Sequence, residues 1–294
     1  MTPPRRPLRS ASRSVFYRRR LVALGVVAAG FLAAWFGIGS LFGGSNRPTT
    51  TTSEPARPFR VVFPEGFTRA QMAERVGAVA GIAEQERGRH PRLSAARYLA
   101  ATRRRRGEPG FGTRRLPLEG FLFPATYDFT VRTTSAQLVA AQLEAFRRNW
   151  AKVALGYARS KNLTPYDVLT IASMVEKEAK APEERPLVAA VIYNRLHERM
   201  PLQIDATLRY GLGIPPTDSI RRSQLESSNP YNTRNRPGLP PTPIASPGLA
   251  SIQAAAHPAS VDYLYFVRKP DHEHHFFTAS FRAFERYKAE HGYP

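Results

Sequence analysis

The most regular hydrophobic pattern in the chain runs from residue 134 to residue 197 and predicts three helices. In "SAQLVAAQLEAFRRNW", apolar residues recur at 138, 139, 143 and 146, which is the spacing of one helical face. "TPYDVLTIASMVEKEA" begins with Thr164 as the expected N-cap and Pro165 at the first helical position. "EERPLVAAVIYNRLHERM" follows as the third helix. This part of the chain is therefore predicted to be mainly helical.

Shorter patterns on the N-terminal side predict strands, turns and smaller helices. "FRVVFPEGFTRAQMAERVGAVAG" (59–81) indicates a short strand, a Pro-Glu-Gly turn and a helix that Thr68 caps. Residues 82–113 are polar and rich in Arg, with a helical stretch at 95–102. The aromatic segment "LPLEGFLFPATYDF" (116–129) suits strands and turns over a core.

Beyond residue 200 the pattern changes again. Pro and Gly are frequent from 201 to 248, which predicts long, ordered loops packed over the helices. "SIQAAAHP" reads as a short helix, "DYLYFVRK" and "HHFF" as two strands, and "SFRAFERYKAEHG" as a closing helix. The whole pattern predicts an α+β fold without tandem repeats.

One segment is apolar on every side. Residues 21–42 contain no charged residue in 22 positions, and a helix of that length spans a hydrocarbon core of roughly 30 Å. A cleaved signal peptide has a shorter apolar region, and no convincing cleavage site follows this one. Seven Arg precede the segment within residues 1–20, so the positive-inside rule places the N-terminus in the cytoplasm. We expect a single-pass membrane protein whose remaining chain is extracytoplasmic.

Composition restricts the possible chemistry. The formal net charge is +20, which could indicate nucleic acid or an anionic surface. The predicted topology keeps the outer portion away from nucleic acid, and the basic surface would suit anionic lipids or wall polymers. The cluster Arg103–Arg106 could be a solvent-exposed face or could bind an anion, and both interpretations stay open. Without Cys, disulfides, thiol nucleophiles and Cys-based zinc sites are excluded.

The second predicted helix carries a candidate acid at its end. Helical spacing puts Glu176 on one border of the apolar stripe, with Glu178 on the other border and Lys177 facing away. Burial disfavours the charged form of a carboxyl at such a border, which raises its pKa as a general acid requires. Most Glu residues at such borders are structural, so this pattern alone is weak.

Longer motifs carry a family resemblance. In order they are "LEGFLFPATY", "IASMVEKEA", "VIYNRL", "MPLQIDATLRYGLG", "NPYNTRNRPGLPPTPIASPGLASIQAAAHP" and "YLYFV". Together they resemble the membrane-bound endolytic murein transglycosylase family, known as MltG or YceG-like, over residues 59–288. The resemblance implies an enzyme that cuts within peptidoglycan glycan strands at the face of the cytoplasmic membrane, with Glu176 of "VEKE" as the catalytic acid.

The implied reaction needs one carboxyl. Most glycosidases use two, whereas a lytic transglycosylase lets the substrate supply the nucleophile. The acid protonates the oxygen between N-acetylmuramic acid and N-acetylglucosamine. The resulting carboxylate takes the proton of the muramyl 6-hydroxyl, which closes on C1 to give a 1,6-anhydro end. The reaction requires no metal and no cofactor.

The resemblance also implies polar groups in a substrate groove. "QIDAT" supplies Gln203 and Asp205, and "YNT" supplies Tyr231 and Asn232. They could bind sugar N-acetyl and hydroxyl groups or hold Glu176. In the alternative interpretation Asp205 caps a turn or helix and Asn232 satisfies loop backbone.

Three further residues are weaker candidates for substrate binding. Asn194 could touch the groove or cap a loop, and Glu119 could lie at the site or fix a turn beside it; the structural alternative is favoured for both. His275 fits a family pattern next to Phe277 and is expected near the substrate. "HEHH" (272–275) lacks the spacing of a helical zinc motif. On a strand, His272 and His274 would point the same way and His275 the opposite way, so we predict no metal site.

The predicted organisation has five parts. They are a basic cytoplasmic tail (1–20), a transmembrane helix (21–42), a flexible stalk (43–58), a small LysM-like strand–turn–helix subdomain with its connecting segment (59–115), and a YceG-like catalytic domain (116–294). The family usually has a longer region before the catalytic domain and a His in the last helix where this chain has Phe284. The expected partners are peptidoglycan, the cytoplasmic membrane and glycan polymerases of the divisome or elongasome.

Two other functions stay open from the sequence. A non-catalytic glycan-binding or scaffolding protein would use the LysM-like element and the groove without an acid. A hydrolase would need a second carboxyl, with Asp205 or Glu119 as the candidates. The resemblance favours the lytic transglycosylase, which would limit the length of nascent strands.

Overall fold

The computed structural model describes residues 58–103, 105–106, 108–113 and 115–293. The predicted cytoplasmic tail, transmembrane helix and most of the stalk lie outside the described residues. Within the described ranges, no helix is long and apolar enough to cross a membrane.

Helices and two-stranded antiparallel sheets alternate along the chain, which confirms the α+β class. The α-helices are α1 (Arg69–Arg87), α2 (Ala95–Thr102), α3 (Ser135–Trp150), α4 (Gly156–Ser160), α5 (Pro165–Glu178), α6 (Arg185–His197), α7 (Asp205–Leu212), α8 (Arg222–Leu225), α9 (Leu249–Ala256) and α10 (Phe281–Glu290), with a 3₁₀ turn at Pro182–Glu184. The strands are β1 (Phe59–Val62), β2 (Arg105–Arg106), β3 (Arg115–Leu116), β4 (Thr126–Phe129), β5 (Tyr265–Arg268) and β6 (His275–Thr278).

Local capping fixes the starts of the main helices. The Thr68 hydroxyl accepts the N–H of Gln71 and the Gln71 side chain accepts the N–H of Thr68, which is a complete capping box. Thr164 and Asp167 form the same arrangement at the start of α5. Both predicted N-caps are confirmed. The helix α1 extends beyond residue 81, because the polar stretch that follows is still helix-forming and ends only at Gly88, whose φ is +56°.

The first apolar core joins β1, β4 and helices α1 to α3. β1 pairs with β4 from Phe59 opposite Phe129 to Val62 opposite Thr126. α2 packs on both α1 and α3. The core includes residues on both sides of position 115, so one core spans the predicted domain boundary; its largest fully buried members are Phe63, Met72, Tyr98, Leu122, Phe129, Leu138 and Phe146.

The second core surrounds α5. All eight residues from Val168 to Val175 are buried, so the expected single apolar stripe is wrong for this part of the helix. The reason is that α6, α7 and α9 pack around α5, while Leu169 reaches the first core. After this buried stretch, solvent reaches the helix again from Glu176 onward, as it does at the first turn, residues 165–167.

The region from 201 to 248 contains more helix than its Pro and Gly content predicted. α7 and α8 lie in it, and Gly213 ends α7 at φ +65°. Gly211 lies inside α7, where an added Cβ would come within 2.6 Å of the Tyr231 Cβ. Here glycine permits close packing of a helix against a loop, although the Pro and Gly content of the region predicted loops.

Candidate active site

Two glutamates end the buried helix α5, and they face different partners. Glu176 and Glu178 are two residues apart, which separates their directions by about 200° around a helix. Both side chains are half-buried. The C-terminal turn of α5 therefore presents two carboxyl groups in two distinct environments.

Glu176 lies between a turn and a loop that are far apart in sequence. Its Oε2 accepts the N–H of Gly248 at 3.0 Å, just before α9. On the other side, a Cβ added to Gly66 would lie 3.5 Å from the Glu176 Cγ. The two segments also bond each other, since the Gly66 N–H donates to the Ser246 carbonyl at 2.9 Å.

Sequence reasoning missed Glu65, which lies in the Pro-Glu-Gly turn. Its carboxylate rests against Gly248, in the space that a Cβ there would occupy. Desolvation at this contact raises the pKa of Glu65, the charge of Glu176 raises it further, and Arg185 opposes both. The tripeptide predicts a turn, but nothing local shows which surface the turn contacts.

Glu178 is the second carboxyl at the end of α5. Desolvation raises the pKa of Glu178 to about 7, and the nearby charge of Asp205 contributes to the rise. Arg268, the Ala206 backbone N–H and Lys177 act in the opposite direction. A half-buried carboxyl that keeps its proton close to neutral pH can serve as a general acid.

Asp205 is the first residue of α7, and an arginine holds it. Its Oδ1 accepts the Nε and Nη2 of Arg234 at 2.9 and 2.6 Å. Gln203 lies two residues earlier, exposed and at φ +55°. The Gln203 N–H donates to the Thr233 carbonyl at 3.0 Å. The structure therefore brings Asp205 next to Glu178 and leaves the Gln203 side chain accessible at the same loop.

Glu119 lies inside the protein, where solvent does not reach it. It is 2% exposed, and its two oxygens accept the Arg69 N–H and the Tyr210 hydroxyl, each at 2.9 Å. Desolvation nevertheless raises the pKa of Glu119 to about 7. Tyr210 packs edge-on against Tyr231, whose hydroxyl lies 2.8 Å from the Thr242 hydroxyl. Glu119 thus joins the start of α1 to the loops over α5.

Two asparagine side chains bond backbone groups. Asn232 is fully buried, and its Nδ2 donates to the carbonyls of Leu225 and Ser227 at 2.9 and 2.8 Å. Asn194 donates to the carbonyls of Val261 and Tyr263, both at 2.9 Å. In this geometry both amides fix loops, which is the structural alternative that the sequence left open.

His275 is buried in a pair with Glu184. Its N–H donates to one Glu184 oxygen at 2.8 Å, and its Nδ1 lies 2.6 Å from the other. The preceding residues form a turn with His272 at φ +58°, so the alternation expected of a strand does not apply to the "HEHH" histidines before His275. In the described part of the chain, no group of three His, Cys, Asp or Glu side chains could hold a metal ion.

Replacing His275 by Ala is expected to lower the free energy of unfolding by about 3 kcal/mol, because Glu184 would stay buried without its side-chain partner. Urea denaturation measures the loss. His274→Ala is the matched control, since His274 pairs with Asp271 at the exposed turn, and it should leave the midpoint unchanged. Equal losses in the free energy of unfolding in the two variants would contradict the larger contribution expected from the buried His275–Glu184 pair.

The end of α5, with two half-buried carboxyl groups under ordered loops, is the candidate site of this α+β protein. The YceG-like family matches residues 46–290, and the chain belongs to that family. A solved YceG-like protein of Listeria monocytogenes shares the fold with a TM-score of 0.64 and 30% identity, over 79% of this chain and 76% of that one.

Curated relatives carry a functional name. An endolytic murein transglycosylase of Bacillus subtilis is 39% identical over 157 residues, which are 53% of this chain and 43% of the relative. The protein of the same name from Streptococcus pneumoniae is 35% identical over 239 residues, covering 74% of this chain and 42% of the relative. The chain thus spans less than half the length of these relatives.

Proposed function

We propose that this protein is an endolytic lytic transglycosylase of peptidoglycan. It cleaves the β-1,4 bond between N-acetylmuramic acid and N-acetylglucosamine within glycan strands and leaves a 1,6-anhydro end. The observation that carries the proposal is the Glu178 carboxyl, half-buried at the end of α5 with a pKa of about 7. Membership of the YceG-like family and the names of the relatives support the same activity.

Glu178 is the better candidate for the proton donor. The general acid must be protonated at the working pH, and in this reaction its conjugate base must then accept a proton. A pKa near 7 serves both steps: the acid protonates the glycosidic oxygen, and the carboxylate then accepts the proton of the muramyl 6-hydroxyl. Asp205, the first residue of α7, contributes to the raised pKa of Glu178, and the exposed Gln203 is available to a sugar hydroxyl or N-acetyl group.

Glu176, the residue that the resemblance implies, is the second candidate. It is half-buried at the same helix end and lies beside Glu65 and the Gly248 N–H. If Glu178 is the proton donor, Glu176 instead holds the Pro-Glu-Gly turn against the loop before α9. In the same proposal the other candidates have structural roles through the contacts described above; they are Tyr231, Asn232, Asn194, Glu119 and His275.

The cellular setting follows from the N-terminal sequence. Residues 21–42 anchor the protein in the cell membrane with residues 1–20 in the cytoplasm, and the stalk carries the catalytic part to the wall. We assign the LysM-like role to β1, α1, α2 and β4, because two helices lie between these paired antiparallel strands in chain order. Glycan polymerases that make the nascent strands are the proposed protein partners; nucleic acid, metals and cofactors take no part.

Product analysis tests the activity. Full-length protein in detergent is incubated with purified peptidoglycan, and soluble products are identified by mass spectrometry. We expect internal strand cleavage with 1,6-anhydromuramyl ends. Reducing ends would instead indicate a hydrolase that uses a second carboxyl. Strand binding without any product would indicate the alternative function, a non-catalytic glycan-binding or scaffolding protein.

A further inference from the structure

We propose that a basic cavity beside the candidate site binds a carboxylate of the peptides that branch from the glycan strand. The inference rests on the proposed function and extends the recognised substrate from the sugars to the attached peptide. The cavity has a volume of about 450 Å³ and lies between the loop after α3, the start of α6 and α9. Its polar groups come from Lys152, Arg185, Gln253 and His257, and the rest of its lining consists of Val, Ala and Pro residues.

Arg185 is the residue that points most directly to a ligand. It is the first residue of α6 and is half-buried. Its Nε is shielded from solvent, and no described residue accepts a hydrogen bond from it. Arg185 also takes part in none of the ion pairs between described residues. Since buried donors nearly always have an acceptor, a guanidinium that lines a cavity with an unused donor favours an anionic ligand there.

The other polar residues of the lining reinforce this preference. Lys152, Gln253 and His257 are exposed, so an ammonium, an amide and an imidazole offer further donors on the solvent side. As far as the described residues form the lining, it contains no Asp or Glu. The electrostatic potential in the cavity therefore favours negative charge.

The size and lining of the cavity favour a carboxylate that belongs to a larger organic group. A volume of about 450 Å³ is in the range of small-molecule sites, whereas a water-sized ion needs only about 30 Å³. The guanidinium of an arginine matches the planar geometry of a carboxylate, and the Val, Ala and Pro surface suits short apolar side chains. The peptides of peptidoglycan combine carboxylates with the methyl groups of alanine, so they meet both requirements.

The start of α9 connects the cavity with the candidate active site. Ala250, which lines the cavity, lies in the first turn of α9. It follows Gly248 by two residues, and the Gly248 N–H donates to the Glu176 Oε2 at 3.0 Å. Arg185 is also close enough to Glu65, whose carboxylate rests on Gly248, to lower the pKa of Glu65. A strand bound at the end of α5 therefore has its branching peptide near Arg185.

The kinetic test compares Arg185→Gln with wild type, both as full-length protein in detergent, on soluble uncrosslinked strands. The strands are used native or after carbodiimide coupling to ammonia, which converts their carboxylates to amides. On native strands the KM of Arg185→Gln should rise roughly tenfold with kcat nearly unchanged, because the lost bond is equally strong in the ground and transition states. On amidated strands the two proteins should have the same KM. A rise of equal size on both substrates would overturn the proposal.

Arg282→Gln is the matched control. Arg282 is exposed in the first turn of α10 and does not line the cavity. The variant removes the same charge elsewhere and should match wild type on both substrates, and thermal melting checks that both variants fold. If Arg282→Gln raises the KM as much as Arg185→Gln does, the effect comes from the overall charge and the proposed site is rejected.

A binding measurement decides the proposal independently of activity. The probe is N-acetylmuramyl-L-alanyl-D-glutamate, which has carboxylates but no bond between sugars to cleave. NMR of the full-length protein follows the Arg185 Nε–H resonance, which is assigned by its loss in Arg185→Lys. The resonance should shift with this probe and stay in place with its diamide. No shift, or equal shifts with both compounds, overturns the proposal.

Two further outcomes separate the alternatives. A larger shift with glycerol phosphate than with the peptide probe would also overturn the proposal, and would assign the cavity to phosphate groups of lipids or wall polymers. If wild type yields no anhydro products, the proposed function fails, and the NMR titration still decides whether Arg185 binds the peptide carboxylate.

Discussion

Glu178→Gln is expected to lower the rate of glycan cleavage by about a thousandfold or more, because the amide cannot donate the proton that the leaving oxygen needs. Gln is nearly isosteric with Glu, so it fits the same half-buried position at the end of α5. The fold should therefore persist. The measurement is the initial rate of release of anhydromuramyl products, with far-UV circular dichroism as the check on folding.

Glu176→Gln is the matched control for this prediction. It lies on the same helical turn, and its amide oxygen can keep the bond to the Gly248 N–H. We expect a loss of less than about tenfold, because the change does not touch the proton donor. A thousandfold loss in Glu176→Gln together with near wild-type activity in Glu178→Gln would transfer the acid role to Glu176, as the family resemblance implies.

Glu178 also predicts a dependence of stability on pH. Because its pKa in the folded protein is raised to about 7, above the ordinary value for an unfolded chain, the folded state binds more protons between these two values. The contribution of Glu178 to the free energy of unfolding should thus fall as pH rises from about 4.5 to about 7. Urea denaturation of Glu178→Gln across this range should show a flatter profile than wild type. An identical slope would contradict the raised pKa.

Local signals explain which elements were predictable from the sequence. The capping boxes at Thr68 and Thr164 involve neighbours three residues away, so the pattern alone located both helix starts. The burial of α5 on all sides depends on helices that come later in the chain. Periodicity placed Glu176 and Glu178 on equivalent borders. It could not show that burial desolvates the Glu178 carboxyl and that the charge of Asp205 lies nearby, because both depend on residues far along the chain. Non-local packing decides the chemistry at this helix end.

The same limit applies to Glu65. The sequence predicts the turn that contains Glu65. It does not show the contact of Glu65 with Gly248, because the two residues are far apart in the chain. The glycines that make such contacts look like ordinary turn residues in the sequence. Gly120 is the clearest example. It lies in the turn that carries Glu119, and this turn packs against the loop at Pro243 and against α5 at Leu169.

Gly120→Ala is expected to lower the free energy of unfolding by about 3 kcal/mol, from backbone strain and overpacking together. Gly120 has a φ of +85°, and a Cβ there would lie 2.7 Å from the Pro243 Cβ and 3.3 Å from the Leu169 Cδ2. The proline ring is rigid and Leu169 is fully buried, so neither neighbour can move away easily. Urea denaturation monitored by tryptophan fluorescence measures the change.

Gly110→Ala separates the two contributions to this loss. Gly110 has nearly the same φ, +86°, but no atom lies within 4 Å of an added Cβ. It should therefore show only the backbone cost, about 1 kcal/mol. The difference between the two variants reports the packing of the Glu119 turn against Pro243 and α5. If both variants lose the same amount, that packing is loose, and the loops above the acid are held by their hydrogen bonds instead.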